Sequence, residues 1–148
     1  SRHVQSAATR AAIATWRERQ RAVELWLVRG NHDRHAGDPP PEWGVHSVDE
    51  PLMLAGLALR HEPPSSPDTP TIAGHVHPGV VMGGRARDRL RLPCFHLSPH
   101  LLLLPAFGEF TGLHVLPRAL HDRVFAIAGD GTDRGVVELP PPKLRACP

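Results

Sequence analysis

Cysteine, lysine and long apolar runs are all scarce in this chain of 148 residues. The two cysteines, Cys94 and Cys147, stand alone without Cys-x-x-Cys spacing, which excludes a disulfide framework and a cysteine-based zinc clip. Cys94 lies between Pro93 and Phe95 in an apolar segment, which predicts a buried thiol. No apolar stretch approaches the roughly 20 residues of a membrane-spanning helix, so we expect no membrane partner.

The charge balance is nearly even. Lys143 is the sole lysine, so arginine supplies almost all of the positive charge, and the formal net charge is only +2. A small excess of this kind permits a phosphate-bearing partner without requiring one. Because 41% of the residues are hydrophobic, the chain has enough apolar material for one core. We therefore predict a single domain over residues 1–139, followed by a proline-rich tail over residues 140–148.

Histidine is abundant, with eleven copies. Three groups of polar residues containing histidine follow short apolar runs: Gly30-Asn31-His32-Asp33, then His61, then Gly74-His75-Val76-His77. Neutral imidazole and amide oxygen suit Mn, Fe or Zn better than Mg or Ca. These groups are therefore candidates for parts of one metal site. We expect most of the other histidines to lie on the surface or in loops, including His35, His46, His96, His100, His114 and His121.

Each group also has a structural interpretation. Gly30-Asn31-His32-Asp33 has the composition of a polar turn, and His61 alone is typical of a strand end. For Gly74-His75-Val76-His77 the alternative is an idle pair of loop histidines. At a strand end, however, the period of two would place both imidazoles on the same side, within reach of one cluster of metals. We interpret Glu62 as a solvated carboxylate.

The hydrophobic pattern predicts a mixed α/β fold. Residues 4–21 have the periodicity of an amphipathic helix whose apolar face covers a sheet, and Val23–Val28 reads as a buried strand. Three prolines then exclude a helix at Asp38–Pro41. Short strands separated by Pro, Gly and Asp turns follow: Val45–Val48, Pro51–Leu54, Leu57–His61, Thr71–Ala73, Val80–Met82, Arg89–Leu92, Cys94–Leu97, His100–Leu104, Val124–Ala128 and Val136–Leu139.

In their order along the chain and in their residues, the three polar groups resemble the last three metal motifs of the calcineurin-like metallophosphoesterases. The resemblance implies a β-sandwich flanked by helices and a site for two divalent metal ions, with Mn first and Fe or Zn as alternatives. The family's earlier Asp-x-His and Gly-Asp motifs do not occur ahead of Asn31, and Gly37-Asp38 and Gly129-Asp130 come too late in the chain. Since the chain begins at Ser1, we expect a fragment without its N-terminal strands, inactive by itself.

The resemblance also implies a role for each residue. Asn31, His61 and His75 would bind the second metal, and His77 would bind the first. His32 would face the substrate phosphate, and Asp33 would orient its ring. We therefore take His32 and Asp33 as the catalytic candidates.

The C-terminal half has four distinctive segments: Leu92-Pro93-Cys94-Phe95, Leu101–Leu104, Pro105-Ala106-Phe107-Gly108-Glu109-Phe110-Thr111-Gly112 and Arg123–Ile127. With these segments the chain resembles the bacterial ligase-associated DNA damage response endonucleases, a branch of the same family. This narrower resemblance implies a DNA phosphodiester substrate, a cytoplasmic address, and a DNA ligase and a helicase in the same pathway.

Four arginines alternate over Gly84–Leu92, which in a strand places them on one face. They form either a solvated face or a stripe that tracks a nucleic-acid backbone. Two alternatives to the endonuclease stay open. One is a phosphatase or phosphodiesterase of small nucleotides, and the other is a non-catalytic DNA-binding module that uses these arginines. The four are Arg85, Arg87, Arg89 and Arg91, of which the first three are our substrate-binding candidates.

Overall fold

The structure, a computed structural model, describes residues 6–31, 33, 37–83, 89–108, 111–129 and 135–142. The chain divides into two compact units, Ser1–Leu52 and Met53–Pro148, and each is described by itself. One domain over residues 1–139 stays a prediction.

Helix α1 covers Ala7–Arg19, inside the predicted span of residues 4–21. Ser6 caps its N-terminus, because the Ser6 Oγ accepts a hydrogen bond from the Thr9 backbone N–H at 3.1 Å. Basic side chains occupy the last turn, where they interact favourably with the helix dipole. Local interactions therefore stabilise both ends of the helix: the Ser6 cap at its N-terminus and basic side chains at its C-terminus.

The apolar face of α1 is not covered in the described part of the chain. None of the residues of α1 is buried, and Trp16 is 50% exposed. The expectation that this face covers a sheet is wrong for the described residues, since its apolar stripe is mostly alanine and buries little area. The helix is instead tied to its own unit by Arg17, whose Nε donates to the Trp43 carbonyl at 2.8 Å.

Two strands complete the first unit. β1 (Leu25–Val28) and β2 (Val45–Val48) form a parallel pair. β2 has the predicted bounds, whereas β1 is shorter than the predicted Val23–Val28 and is not buried, since Trp26 is 48% exposed. A 3-10 turn at Pro41–Trp43 precedes β2. Proline is tolerated in the first turn of a helix because a backbone N–H at that position would have no acceptor within the helix.

The remaining strands form one sheet. They are β3 (Leu52–Leu54), β4 (Leu57–Arg60), β5 (Thr71–Ala73), β6 (Pro78–Gly83), β7 (Arg89–Ser98), β8 (Leu101–Leu103), β9 (His114–Val115), β10 (Arg123–Ala128) and β11 (Gly135–Glu138). The order is β11-β10-β7-β8-β5-β4-β3, while β6 pairs with β7 and β9 pairs with β6. β4, β5 and β8 run parallel to one another, and β7 is antiparallel to β8, β10 and β6.

The strand β7 replaces two predicted strands, Arg89–Leu92 and Cys94–Leu97. Pro93 was expected to separate them, but it lies inside β7 opposite Gly79 of β6. β7 changes partners here, from β6 to β10 and β8, so the missing N–H of the proline falls where one ladder gives way to another. The two-residue strand β9 was not predicted at all.

The core of the second unit is small and lies on β6, β7 and β10. Cys94 is fully buried there beside Val80, Val124 and Ala126. Burial raises the pKa of the Cys94 thiol to about 11, with the charge of Arg118 acting in the opposite direction. The predicted buried thiol is therefore confirmed.

His96 is a further correction, because it is buried in β7 rather than lying on the surface. Its Nε2 lies 3.0 Å from Asp122 Oδ2, and the two side chains are only 8% and 9% exposed. The same carboxylate oxygen accepts a hydrogen bond from the Ala119 backbone N–H at 2.7 Å. The pair therefore fastens the turn before β10 to the middle of the sheet.

The described part of the chain is thus a mixed α/β fold dominated by sheet, as predicted, and it contains one α-helix. The β-sandwich flanked by helices stays a prediction. Of the proline-rich tail, residues 140–142 lie within the described part.

Candidate functional site

The parallel strands β4, β5 and β8 bring three chain segments to one edge of the sheet. Because the carboxyl ends of parallel strands meet at the same edge, His61, Gly74 and Leu104 leave the sheet side by side. The Gly74 N–H donates to the His61 carbonyl at 3.2 Å, and the Leu104 N–H donates to the Ala73 carbonyl at 2.8 Å. This edge carries two of the predicted metal motifs.

His61 and His75 are in direct contact there. The His75 Nδ1 lies 2.9 Å from the His61 Nε2, and the rings meet edge to face at 68° with their centroids 4.8 Å apart. His61 is half-buried and His75 is exposed. Two imidazole nitrogens that face each other at this distance share one hydrogen when both rings are neutral. The structure therefore brings together two predicted ligands and leaves them accessible from solvent.

The backbone of the His75–His77 segment is strained. His75 and His77 have φ angles of 63° and 52°, in the left-handed region that side chains rarely adopt. The Val76 N–H donates to the Gly74 carbonyl at 2.7 Å, which closes a γ-turn centred on His75. Such conformations cost about 1–3 kcal/mol each and are concentrated at functional sites.

This geometry corrects the argument from the period of two. That period requires extended backbone, and neither histidine is extended. His77 is half-buried, and its carbonyl accepts a hydrogen bond from the His114 N–H at 2.9 Å. Within the described ranges, no group of three or more His, Cys, Asp or Glu side chains could hold a metal ion. The structure thus supplies a pair of imidazoles at this edge.

The Gly30–Asp33 motif lies in the first unit, in the loop after β1. The Asp33 Oδ2 accepts a hydrogen bond from the Gly30 N–H at 2.8 Å, and the Gly37 N–H donates to the Asp33 carbonyl at 2.8 Å. Asp33 therefore shapes the turn that presents Asn31, which is exposed. His32 lies outside the described residues, so its orientation by Asp33 stays a prediction.

Sequence reasoning missed the arginine that closes this loop. The Arg29 guanidinium binds both carboxylate oxygens of Asp38, at 2.7 and 2.8 Å, and reaches Asp49 at 3.2 Å. The hydrogen bonds from Arg29 hold the pKa of Asp38 below its usual value. In the sequence Asp38 stands out only as part of Gly37-Asp38, and no spacing rule links residues nine positions apart across a loop.

The arginine stripe is described in part. Arg89 and Arg91 lie two residues apart in β7, are exposed, and share a face of the strand. The Arg91 Nη2 donates to the Leu113 carbonyl at 2.6 Å. Arg85 and Arg87 lie outside the described residues.

A cavity of about 340 Å³ lies at Leu113, whose carbonyl Arg91 holds, and was not predicted. Its lining combines apolar side chains with polar groups and includes Leu92, Pro93, Phe107, Thr111, Leu113 and Ile127.

Within the described residues, no helix combines the length and the apolar character needed to cross a membrane.

No protein-family model and no curated protein matches the chain. Among solved structures, the chain is similar to the nuclease MPE of Pseudomonas putida, with 45% sequence identity and a TM-score of 0.73. The similarity covers 85% of this chain and 61% of that one, so this chain spans about three fifths of the nuclease whose fold it shares.

Proposed function

We propose that this chain forms part of a metal-dependent nuclease that hydrolyses phosphodiester bonds. The observation that carries the proposal is the contact between His61 and His75 at the carboxyl edge of parallel strands, in a chain 45% identical to a nuclease. The finer assignment, an endonuclease of the calcineurin-like type that repairs DNA beside a ligase and a helicase, rests on the motif resemblance alone. So do the choice of manganese and the cytoplasmic address.

The spacing of the two imidazoles supports a metal ligand role. Two nitrogens bound at about 2.0–2.1 Å to one tetrahedral zinc ion are about 3.3 Å apart. His61 Nε2 and His75 Nδ1 are 2.9 Å apart, so a shift of a few tenths of an ångström would let both bind one ion. A rotation of the rings would direct both lone pairs at one ion in place of the shared hydrogen. His77, in the same segment as His75, would add a third ligand.

The other residues would act on the phosphate. Bound divalent ions would offset the charge of the phosphate and lower the pKa of a coordinated water so that it can attack phosphorus. His32 would donate a proton to the leaving oxygen or hydrogen-bond the phosphate, which is worth about 10²–10⁴ in rate for general acid catalysis. Arg89 and Arg91 would hold neighbouring phosphates, because a guanidinium group can donate two parallel hydrogen bonds to two oxygens of one phosphate.

The test compares His75→Ala with His100→Ala in the full-length protein. His100 is a matched control, because it is an exposed histidine at the opposite end of β8. We expect His75→Ala to lose bound manganese and DNA hydrolysis together, since it removes a metal ligand. We expect His100→Ala to keep both. Elemental analysis and cleavage of a labelled DNA strand measure the two quantities separately.

Three results would count against the proposal. Full activity and full metal content in His75→Ala would refute it. Faster turnover of a mononucleotide ester than of DNA would favour a small-nucleotide phosphodiesterase. DNA binding that depends steeply on salt, without hydrolysis and without any effect of metal, would favour a non-catalytic binding module.

A further inference from the structure

The cavity in the second unit is lined by segments that are hydrogen-bonded, close to their ends, to the segment carrying His75 and His77. The chain leaves β8 at Leu104, which is hydrogen-bonded to Ala73, the residue before Gly74-His75. Phe107 follows three residues later, so its Cα lies at most about 11 Å from that of Leu104. On the opposite wall, Leu113 precedes His114, whose N–H donates to the His77 carbonyl. Both walls are therefore connected to this segment over a few residues of chain.

The Phe107 ring is fully exposed at this cavity. Next to it, the Thr111 Oγ1 donates a hydrogen bond of 2.9 Å to the Gly108 carbonyl. Large exposed aromatic rings are unfavourable in water, and exposed aromatics beside a preformed pocket are typical of ligand sites. The ring is therefore available to stack on a flat partner.

Charge is placed beside the apolar walls. Arg91 holds the Leu113 carbonyl at the wall of the cavity, and Leu92 and Pro93, the next two residues of β7, line it. The exposed Arg91 guanidinium has further N–H donors beyond the one used on Leu113. A ligand that fits both features needs a flat apolar ring and a negative group. The volume of about 340 Å³ lies at the lower end of ligand pockets, which suits one ring system.

We propose that this cavity binds one unpaired nucleobase of the nucleic-acid substrate, stacked on Phe107, with an adjacent phosphate held by Arg91. The proposal rests on the proposed nuclease function and adds a binding site to it. A base stacked in a duplex cannot present its face to Phe107, so the nucleotide must be unstacked when it binds. The base would be bound close to the paired histidines and so would position the phosphate to be cleaved.

The test measures base preference in the full-length protein. One probe is a short oligothymidylate labelled with fluorescein, and the other is a strand of equal length and charge without bases. Stacking on one aromatic ring is worth about 5- to 140-fold in affinity, so the wild type should bind the first strand more tightly by that factor. Phe107→Ala should bind the two strands nearly equally, and Phe107→Trp should restore the preference.

Val136→Ala is the matched control, since Val136 is another exposed apolar residue, on the edge strand β11. It should keep the full preference. A Phe107→Ala variant that keeps the preference would overturn the proposal, as would a wild type that has none. If DNA is cleaved in a His75-dependent way while Phe107→Ala keeps its preference, only the base site is refuted. If DNA is not cleaved at all, the nuclease function itself fails.

Discussion

Replacing Asp122 should destabilise the fold strongly, although the residue lies in a turn. Its Oδ2 accepts from the Ala119 N–H at 2.7 Å and lies 3.0 Å from the His96 Nε2. Asp122→Ala leaves a buried imidazole N–H without an acceptor, which costs about 1–3 kcal/mol, and removes a second hydrogen bond worth about 0.5–1.5 kcal/mol. We therefore expect a loss of about 2–4 kcal/mol in the free energy of unfolding, a large part of the stability of a typical domain.

Urea unfolding followed by far-ultraviolet circular dichroism measures this loss. Asp122→Asn should cost less than Asp122→Ala, because its amide oxygen still accepts one hydrogen bond. His121→Ala is the matched control. This neighbouring histidine is exposed, and its loss should change stability by less than about 0.5 kcal/mol.

A double-mutant cycle separates the pair from its surroundings. If His96 and Asp122 stabilise each other, His96→Ala combined with Asp122→Ala should cost less than the sum of the single changes, by about 1 kcal/mol or more. A loss below about 1 kcal/mol for Asp122→Ala, or strictly additive single effects, would show that the contact contributes nothing to stability.

Two further predictions follow from the pKa shifts. Arg29 lowers the pKa of Asp38 in the folded state. The ion pair therefore stabilises the fold fully above the ordinary pKa of aspartate, and this stabilisation is lost as pH falls through the lower pKa of the folded state. Asp38→Asn should remove this acid-dependent part of the unfolding curve, and an unchanged curve would contradict the ion pair. Because its pKa is about 11 and it is buried, Cys94 should not react with a thiol reagent at pH 8 in a folded Cys147→Ser variant. It should react fully in urea, and rapid reaction of the folded protein would show that the thiol is accessible.

Much of the sheet could be predicted because its strands are short apolar runs between turn residues. β2 and β5 have the predicted bounds, and most other strands differ by one or two residues at an end. Pro93 misled the prediction because a proline can lie inside a strand where the strand changes partners. β9 was missed because two residues carry no periodicity.

The candidate site could be predicted only as a set of residues. The order of motifs selected His61 and His75, but their contact depends on the parallel register of β4 and β5, which no local pattern encodes. Burial of His96 depends in the same way on Asp122, 26 positions away. The left-handed backbone at His75 could not be foreseen either, because tertiary structure imposes it against local preference.

The left-handed backbone at His75 and His77 bears on protein engineering. Glycine adopts such angles without steric cost, so a selection for thermal stability alone should favour glycine at both positions. Either exchange would remove an imidazole from the edge of the sheet. These two positions are therefore where the most stable sequence and the most active sequence should differ, and where a thermostabilised variant should first lose its chemistry.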